Sequence, residues 1–202
     1  FSLSTILATG GLGFIGSHTT VSLLERGFDV LVIDSLVNSK LSTFDSIKKI
    51  LNNLKVRKKG NIFFIKGDIR NKEFLENLFN EFKENGKDIC SVIHFAGLKC
   101  VEQSNYNPLD YWDVNLNGTL NLLKVMKKNC CRTFLFSSSA TVYQFNQNKL
   151  LSEGDPLEPF NPYGNTKLAV EKILHDLYKS EPNKWKILNL RYFNPVGAHP
   201  TG

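Results

Sequence analysis

A tyrosine stands four residues before a lysine in the stretch NPYGNTK, at Tyr163 and Lys167. In a helix that spacing puts both side chains on one face, with β-carbons roughly 5–6 Å apart. A free phenol titrates near pH 10, at about 10, and is a poor base at neutral pH; a nearby cation typically lowers such a pKa by about 1–3 units. A tyrosine so activated can take a proton from a substrate hydroxyl. Upstream, FSSSATVY supplies hydroxyls at Ser137, Ser138, Ser139 and Thr141. Ser139 or Thr141 could hydrogen-bond the same substrate oxygen and relay its proton. Singly, Tyr163 would more often pack, Lys167 stay solvated and each serine end a strand, because motifs this short recur by chance.

A glycine-rich stretch gives the set a context. In TGGLGFIGSH, Gly10, Gly13 and Gly16 recur every three residues, and Gly11, Gly13 and Gly16 satisfy G-x-G-x-x-G. The stretch follows an apolar strand pattern and opens a helix pattern, which is the context this motif requires. Its glycines permit a tight turn and close backbone approach to a pyrophosphate, and the helix N-terminus offers free N–H groups and a positive dipole end. Asp34 closes the second strand pattern, where a carboxylate accepts from the adenosine ribose hydroxyls. It repels a 2′-phosphate, and no arginine follows it directly, so NAD is favoured over NADP. Asp68, ending the third strand pattern, reads equally as a cap on an adenine pocket or as a turn residue.

These residues need a frame, and the chain supplies one. Apolar runs at Thr5–Thr9, Asp29–Asp34, Ile62–Asp68, Ser91–Gly97, Thr133–Ser139 and Lys186–Phe193 alternate with helical patterns. The helices are expected from the glycine loop to about Arg26, then over Leu41–Leu54, Lys72–Glu84, Pro108–Lys128 and from Pro162 onward. Continuously apolar strands are buried on both faces, as in a parallel sheet. The fold class is therefore α/β, a doubly wound parallel sheet of Rossmann type. Ligands belong at the carboxyl ends of its strands, where Gly97, Ser139 and Phe193 fall. Gln144–Pro162 is the longest irregular piece and lies beside this end, where a binding loop belongs.

The 202 residues and 42% hydrophobic content suit one sizeable core. Net charge is +6, but the densest basic run, Lys55–Lys59, holds no aromatic, so it reads as a solvated loop and not a nucleic-acid surface. Four cysteines and four histidines are scattered without metal-ligand spacing, so no metal is expected, and reduced thiols suit a cytoplasmic protein. No apolar stretch is long enough to cross a membrane, and no signal peptide precedes the first strand.

The segments TGGLGFIGSHT, GDIRN, IHFAGLK, VNLNGT, FSSSATVY, PYGNTK and LRYFNPVGAHPTG occur in this order and cover nearly the whole chain. With them the sequence resembles the extended short-chain dehydrogenase/reductases, and within these the UDP-glucose (UDP-galactose) 4-epimerase family. The glycine loop and Tyr-Lys pair are general to the superfamily; HFAGLK, SSSATVY and RYFNPVGAHP are far more specific. The resemblance implies that Gly10, Gly13, Phe14, Ile15, Gly16 and Asp34 hold NAD, with Asn38, Ser39, Asp68 and Ile69 on the adenosine side. It places Phe95, Ala96, Gly97 and Lys99 along the path to the nicotinamide ribose, and has Asn115 and Ser137 add contacts. Tyr192 and Phe193 would sit where nicotinamide meets the sugar nucleotide. Lys99, Ser139, Thr141, Tyr163 and Asn194 would meet the UDP-hexose, with Ser139, Tyr163 and Lys167 catalytic. The implied reaction removes hydride from C4, passes through a 4-keto sugar and returns hydride to the opposite face.

Three departures accompany the resemblance. Glu102 stands where the family has a small residue, and Gln144 follows ATVY where glycine is usual. The chain also stops after GAHPTG, where the family continues into a smaller domain that grips the UDP-sugar. Residues 1–202 are thus expected to be an NAD-binding domain carrying the catalytic Ser/Tyr/Lys, with the C-terminal UDP-sugar domain absent and a homodimer expected of the full-length protein. A sibling dehydratase, decarboxylase or reductase, or a non-catalytic NAD-binding fragment, remain alternatives. Dehydratases of this type carry an acid just after the strand-five serine or threonine, where this chain has Ala140.

Overall fold

The computed structural model describes residues 4–53, 59–144 and 150–200. Six strands form one parallel sheet in the order β3-β2-β1-β4-β5-β6. They are β1 (Thr5–Thr9), β2 (Asp29–Asp34), β3 (Ile62–Lys66), β4 (Ile89–His94), β5 (Thr133–Ser139) and β6 (Lys186–Tyr192). Every residue of β1 and β2 is buried, which explains why both read as unbroken apolar runs. Alternation along them makes two cores. Leu7, Leu31 and Ile33 face Leu75, Leu122 and Val170 on one side; Ala8, Val30 and Val32 face Val21, Leu24 and Ile47 on the other. Truncating a fully buried leucine such as Leu7 or Leu31 to alanine would cost about 2–5 kcal/mol.

The helices that matter to the site begin at its rim. Helix α1 (Phe14–Glu25) starts directly after Gly13, and α2 (Ser42–Asn53) buries Ile47 and Leu51, one turn apart. Helix α3 (Lys72–Glu84) is capped by Asn71, whose Oδ1 accepts from Phe74 N–H at 2.9 Å. A short α4 (Val101–Tyr106) precedes α5 (Pro108–Tyr111), a widened π turn (Trp112–Asn117) and α6 (Gly118–Lys128). Helix α7 (Pro162–Ser180) has Pro162 in its first turn, and its N-cap Asn161 Oδ1 accepts from Gly164 N–H at 2.8 Å.

Four expectations shift. Strand β4 starts two residues earlier and ends at His94, not Gly97, because Phe95–Gly97 turn away to the carboxyl end of the sheet. Strands β3 and β6 end at Lys66 and Tyr192, leaving Asp68 and Phe193 just beyond the sheet. The helix over Pro108–Lys128 exists, but a π turn interrupts it. Helix α4 was not expected at all. Within the basic run, Lys55–Lys58 lies outside the described residues, while Lys59 Nζ donates to Leu51 O at 2.8 Å. Among the described residues no helix is long and apolar enough to cross a membrane, no metal-ligand cluster occurs, and all four cysteines are free thiols.

Candidate active site

The sheet order reverses between β1 and β4, and a cavity of about 1030 Å³ opens at the carboxyl ends of the strands on both sides of that point. Its floor is the glycine loop. Gly10 has φ +65°, and a β-carbon there would lie 2.6 Å from Ala96 N. A β-carbon at Gly16 would lie 2.5 Å from Gly10 O, so α1 approaches the loop as only glycine allows. No side chain caps α1, and Gly13, Phe14, Ile15 and Gly16 line the cavity beside its open N-terminus.

Asp34 closes one side. Its Oδ2 accepts from Leu12 N–H at 3.1 Å; its Oδ1 accepts from Leu36 N–H at 2.9 Å and Ser39 Oγ–H at 2.7 Å. A carboxylate has about four acceptor sites, so the protein fixes this one and leaves capacity for a further donor. Asn38 and Ser39 line the wall next to it. Asp68 and Ile69, just after the neighbouring strand β3, line the same end of the cavity. Arg70 grips Asp68 through Nε and Nη2 and reaches Asp113 at 3.0 Å, and this pairing holds the Asp68 carboxyl below the usual range. A helix terminus open to an anion beside a fixed carboxylate suits a pyrophosphate flanked by a ribose.

The other half of the cavity carries the proton-transfer candidates. Ser137 and Ser139 end β5, Thr141 lies in the 3₁₀ turn Ala140–Val142 that follows, and Tyr163 and Lys167 project from the first turns of α7. Thr141 Oγ1 donates to Ser139 Oγ at 3.0 Å. Lys167 is buried; its Nζ donates to Ser137 O at 2.8 Å and lies 4.8 Å from the Phe136 ring centre. Burial pushes Lys167 down to about 8, opposed by the charge of Glu171. Burial pushes the Tyr163 phenol up, against a hydrogen bond with Ser139. In the protein alone desolvation of the phenol is the largest effect; the sequence expectation joins Lys167 with a cationic nicotinamide.

Phe95, Ala96, Gly97 and Lys99 form the wall after β4, and Tyr192, Phe193 and Asn194 the wall after β6. Phe193 is 64% exposed. Asn115 is the exception among the residues singled out, since it does not reach the cavity. It is buried behind the wall, where its Oδ1 accepts from Leu98 N–H at 2.7 Å and its Nδ2 donates to Leu98 O at 3.0 Å and Thr166 Oγ1 at 3.1 Å. The π turn aims this side chain inward, a use for which such turns are common. The sequence reading missed Asp110 and Tyr143 as lining residues, while Leu151 and Phe160 come from the irregular Gln144–Pro162 piece in which it expected a binding loop. Gln144 also lines the cavity, and its Nε2 donates to Glu158 Oε2 at 2.7 Å. Glu102 is an exposed residue in the first turn of α4.

Comparison with known proteins agrees with this geometry. Residues 7–201 match the GDP-mannose 4,6-dehydratase family. The chain is 48% identical over 202 residues to the bifunctional UDP-glucose 4-epimerase and UDP-xylose 4-epimerase 1 of Pisum sativum, and 46% identical over 201 residues to UDP-glucose 4-epimerase GEPI48 of Cyamopsis tetragonoloba. Both alignments take in 100% of this chain and 55% of the relative, so the chain spans about half the length of the curated relatives it matches. Among solved structures it is similar to UDP-glucose 4-epimerase from Bifidobacterium longum in complex with NAD+ and UDP, with a TM-score of 0.87 and 42% identity over 98% of this chain and 55% of that one. The same coverage, with a TM-score of 0.87 and 38% identity, relates it to the Stenotrophomonas maltophila enzyme with bound NAD and formylated UDP-arabinopyranose. The chain belongs to the GDP-mannose 4,6-dehydratase family, within the extended short-chain dehydrogenase/reductases, and corresponds to the N-terminal portion of its UDP-glucose 4-epimerase relatives.

Proposed function

We propose that this chain is the NAD-binding and catalytic portion of an enzyme that interconverts UDP-glucose and UDP-galactose. The observation that carries the reading is the convergence of Ser139, Tyr163 and Lys167 on the same cavity as the Gly10–Gly16 loop and Asp34. When bound, NAD would supply the hydride acceptor and donor for C4 of the hexose, by way of a 4-keto sugar with hydride returned to the opposite face, and a cationic ring that would favour a phenolate. The α1 N-terminus and glycine loop would hold its pyrophosphate, Asp34 and Ser39 its adenosine ribose, and Asp68 with Ile69 its adenine. Lys167 uses one N–H on Ser137 O and has others to give to a ribose hydroxyl. Tyr163 takes the C4 hydroxyl proton and later returns it. Ser139, already bonded by Thr141, orients that hydroxyl. Lys99 and Asn194 contact the substrate from opposite walls.

The family's name favours a sibling reading, elimination of water from a nucleotide sugar. An acid to protonate the leaving hydroxyl would then be needed just after Ser139, where the chain has Ala140. Tyr163→Phe in the complete protein tests the epimerase reading: interconversion should stop while NAD stays bound, and undiminished turnover would remove Tyr163 from its role. A product lighter by one water would favour the dehydratase. The 202-residue chain alone, incubated with UDP-galactose, is expected to retain NAD without turnover, because it spans only about half the length of its epimerase relatives.

A further inference from the structure

Behind Ser139, Tyr163 and Lys167 lies a second polar cluster that the proposed reaction does not use. Glu171, one turn after Lys167 on α7, is buried. Its carboxylate accepts from Ser138 Oγ–H, and from Arg191 through Nε at 3.0 Å and Nη2 at 2.7 Å. Arg191 comes from β6, and its Nη1 donates to Tyr143 Oη at 2.9 Å and to Glu153 O at 3.3 Å. One ion pair thus joins α7, the end of β5, the turn after it and the 150–161 segment. Buried ion pairs are an expensive way to pack, since apolar residues of similar volume often serve as well or better. What sets this one apart is its neighbour, a buried ammonium with a backbone carbonyl and an aromatic face as its contacts.

We propose that Glu171, held in place by Arg191 and Ser138, is a positioning residue that keeps buried Lys167 an ammonium and fixes the serine end of β5 opposite Tyr163. The carboxylate offsets the desolvation of the lysine without bonding to it, so the N–H groups of Lys167 stay available to the cavity. Of the other titratable groups, Tyr163 on its own helix, Asp110 on α5 and Tyr192 on β6 line the same cavity as Lys167, Tyr111 packs edge-on against Tyr163, and Arg191 on β6 pairs with Glu171. His94 on β4 also faces it; burial and the Lys167 charge hold that imidazole down at about 3, so it stays neutral throughout the range tested. Arg191 is the fixed positive charge paired with Glu171. The use of the Lys167 charge in a reaction rests on the function proposed above.

The test is a pH titration of protein labelled with [13Cε]lysine, the Lys167 resonance being assigned by its absence from Lys167→Met. It needs neither nucleotide nor sugar, so failure of this inference and failure of the epimerase reading are told apart. The Lys167 midpoint should lie near 8 in the unaltered protein. Glu171→Gln keeps the shape and removes the charge, and should lower the midpoint by about 1–3 pH units. Glu171→Asp disturbs packing but keeps the charge, and should stay within about half a unit of the unaltered value. Arg191→Met leaves the buried carboxylate without its ion-pair partner and should also lower the midpoint. An unchanged midpoint in Glu171→Gln overturns the proposal. Should Glu171→Gln not fold, Arg191→Met decides the matter, and a midpoint that fails to fall overturns it.

Discussion

Gly10 and Gly86 form a natural pair for measuring what the cofactor cradle demands of its backbone. Both hold left-handed conformations, at φ +65° and +67°. They differ in the space around them: a β-carbon at Gly86 meets nothing within 4 Å, whereas one at Gly10 would lie 2.6 Å from Ala96 N and 2.7 Å from Ala96 Cα. The left-handed conformation costs a residue with a β-carbon about 1–2 kcal/mol, which is the whole expected effect of Gly86→Ala. Gly10→Ala adds overpacking against backbone that cannot rotate away, about 1–3 kcal/mol more, for a total of about 2–5 kcal/mol. For a chain this long, each kcal/mol lowers Tm by about 2–4 °C. Urea denaturation of the two variants under one set of conditions gives the difference directly. Gly10→Ala should also lose NAD, because the loop can relieve the contact only by moving off the Phe95–Gly97 turn. Equal destabilisation of the two variants, with NAD retained in both, would falsify the close-approach account of the cradle.

Two further outcomes follow from buried polar groups. Lys167 binds its proton less tightly folded than unfolded, with a midpoint near 8 against 10.5, so its buried charge costs stability below pH 8 and the cost fades as pH rises from 8 to 10.5. The shift corresponds to roughly 3 kcal/mol as an upper bound, so Lys167→Met should stabilise the chain by about 1–3 kcal/mol at pH 7 while abolishing turnover, and the gain should vanish above pH 10.5 in urea titrations. Asn115→Ala strips Leu98 of both its partners and Thr166 of one, and should cost about 2–4 kcal/mol by urea denaturation while weakening NAD retention through the loosened Phe95–Lys99 wall.

The parts of the molecule that could be read from sequence are those where local pattern and tertiary environment agree. Strands β1, β2 and β5 lie where their apolar runs put them; β1 and β2 are buried on both faces, and β5 alternates buried with half-buried residues up to its buried serine end. The end of β4 could not be read so well, because Phe95 and Ala96 are apolar for a different reason: they line the cavity after leaving the sheet. The π turn at Trp112–Asn117 is a matter of backbone spacing with no compositional signature, so the inward aim of Asn115 was hidden with it. The pairing of Glu171 with Arg191 joins residues 20 apart on different elements, and no local period announces it. Burial likewise sets the direction of the Tyr163 shift, and burial of a phenol is a property of the assembled fold.

The central claim is that hydride leaves and returns at one carbon within this cavity, and an isotope label follows it. UDP-galactose carrying deuterium at C4 should yield UDP-glucose with the deuterium still at C4 and the product mass unchanged, in the complete protein with unlabelled solvent. Loss of the label to solvent, or a product lighter by one water, would contradict the account.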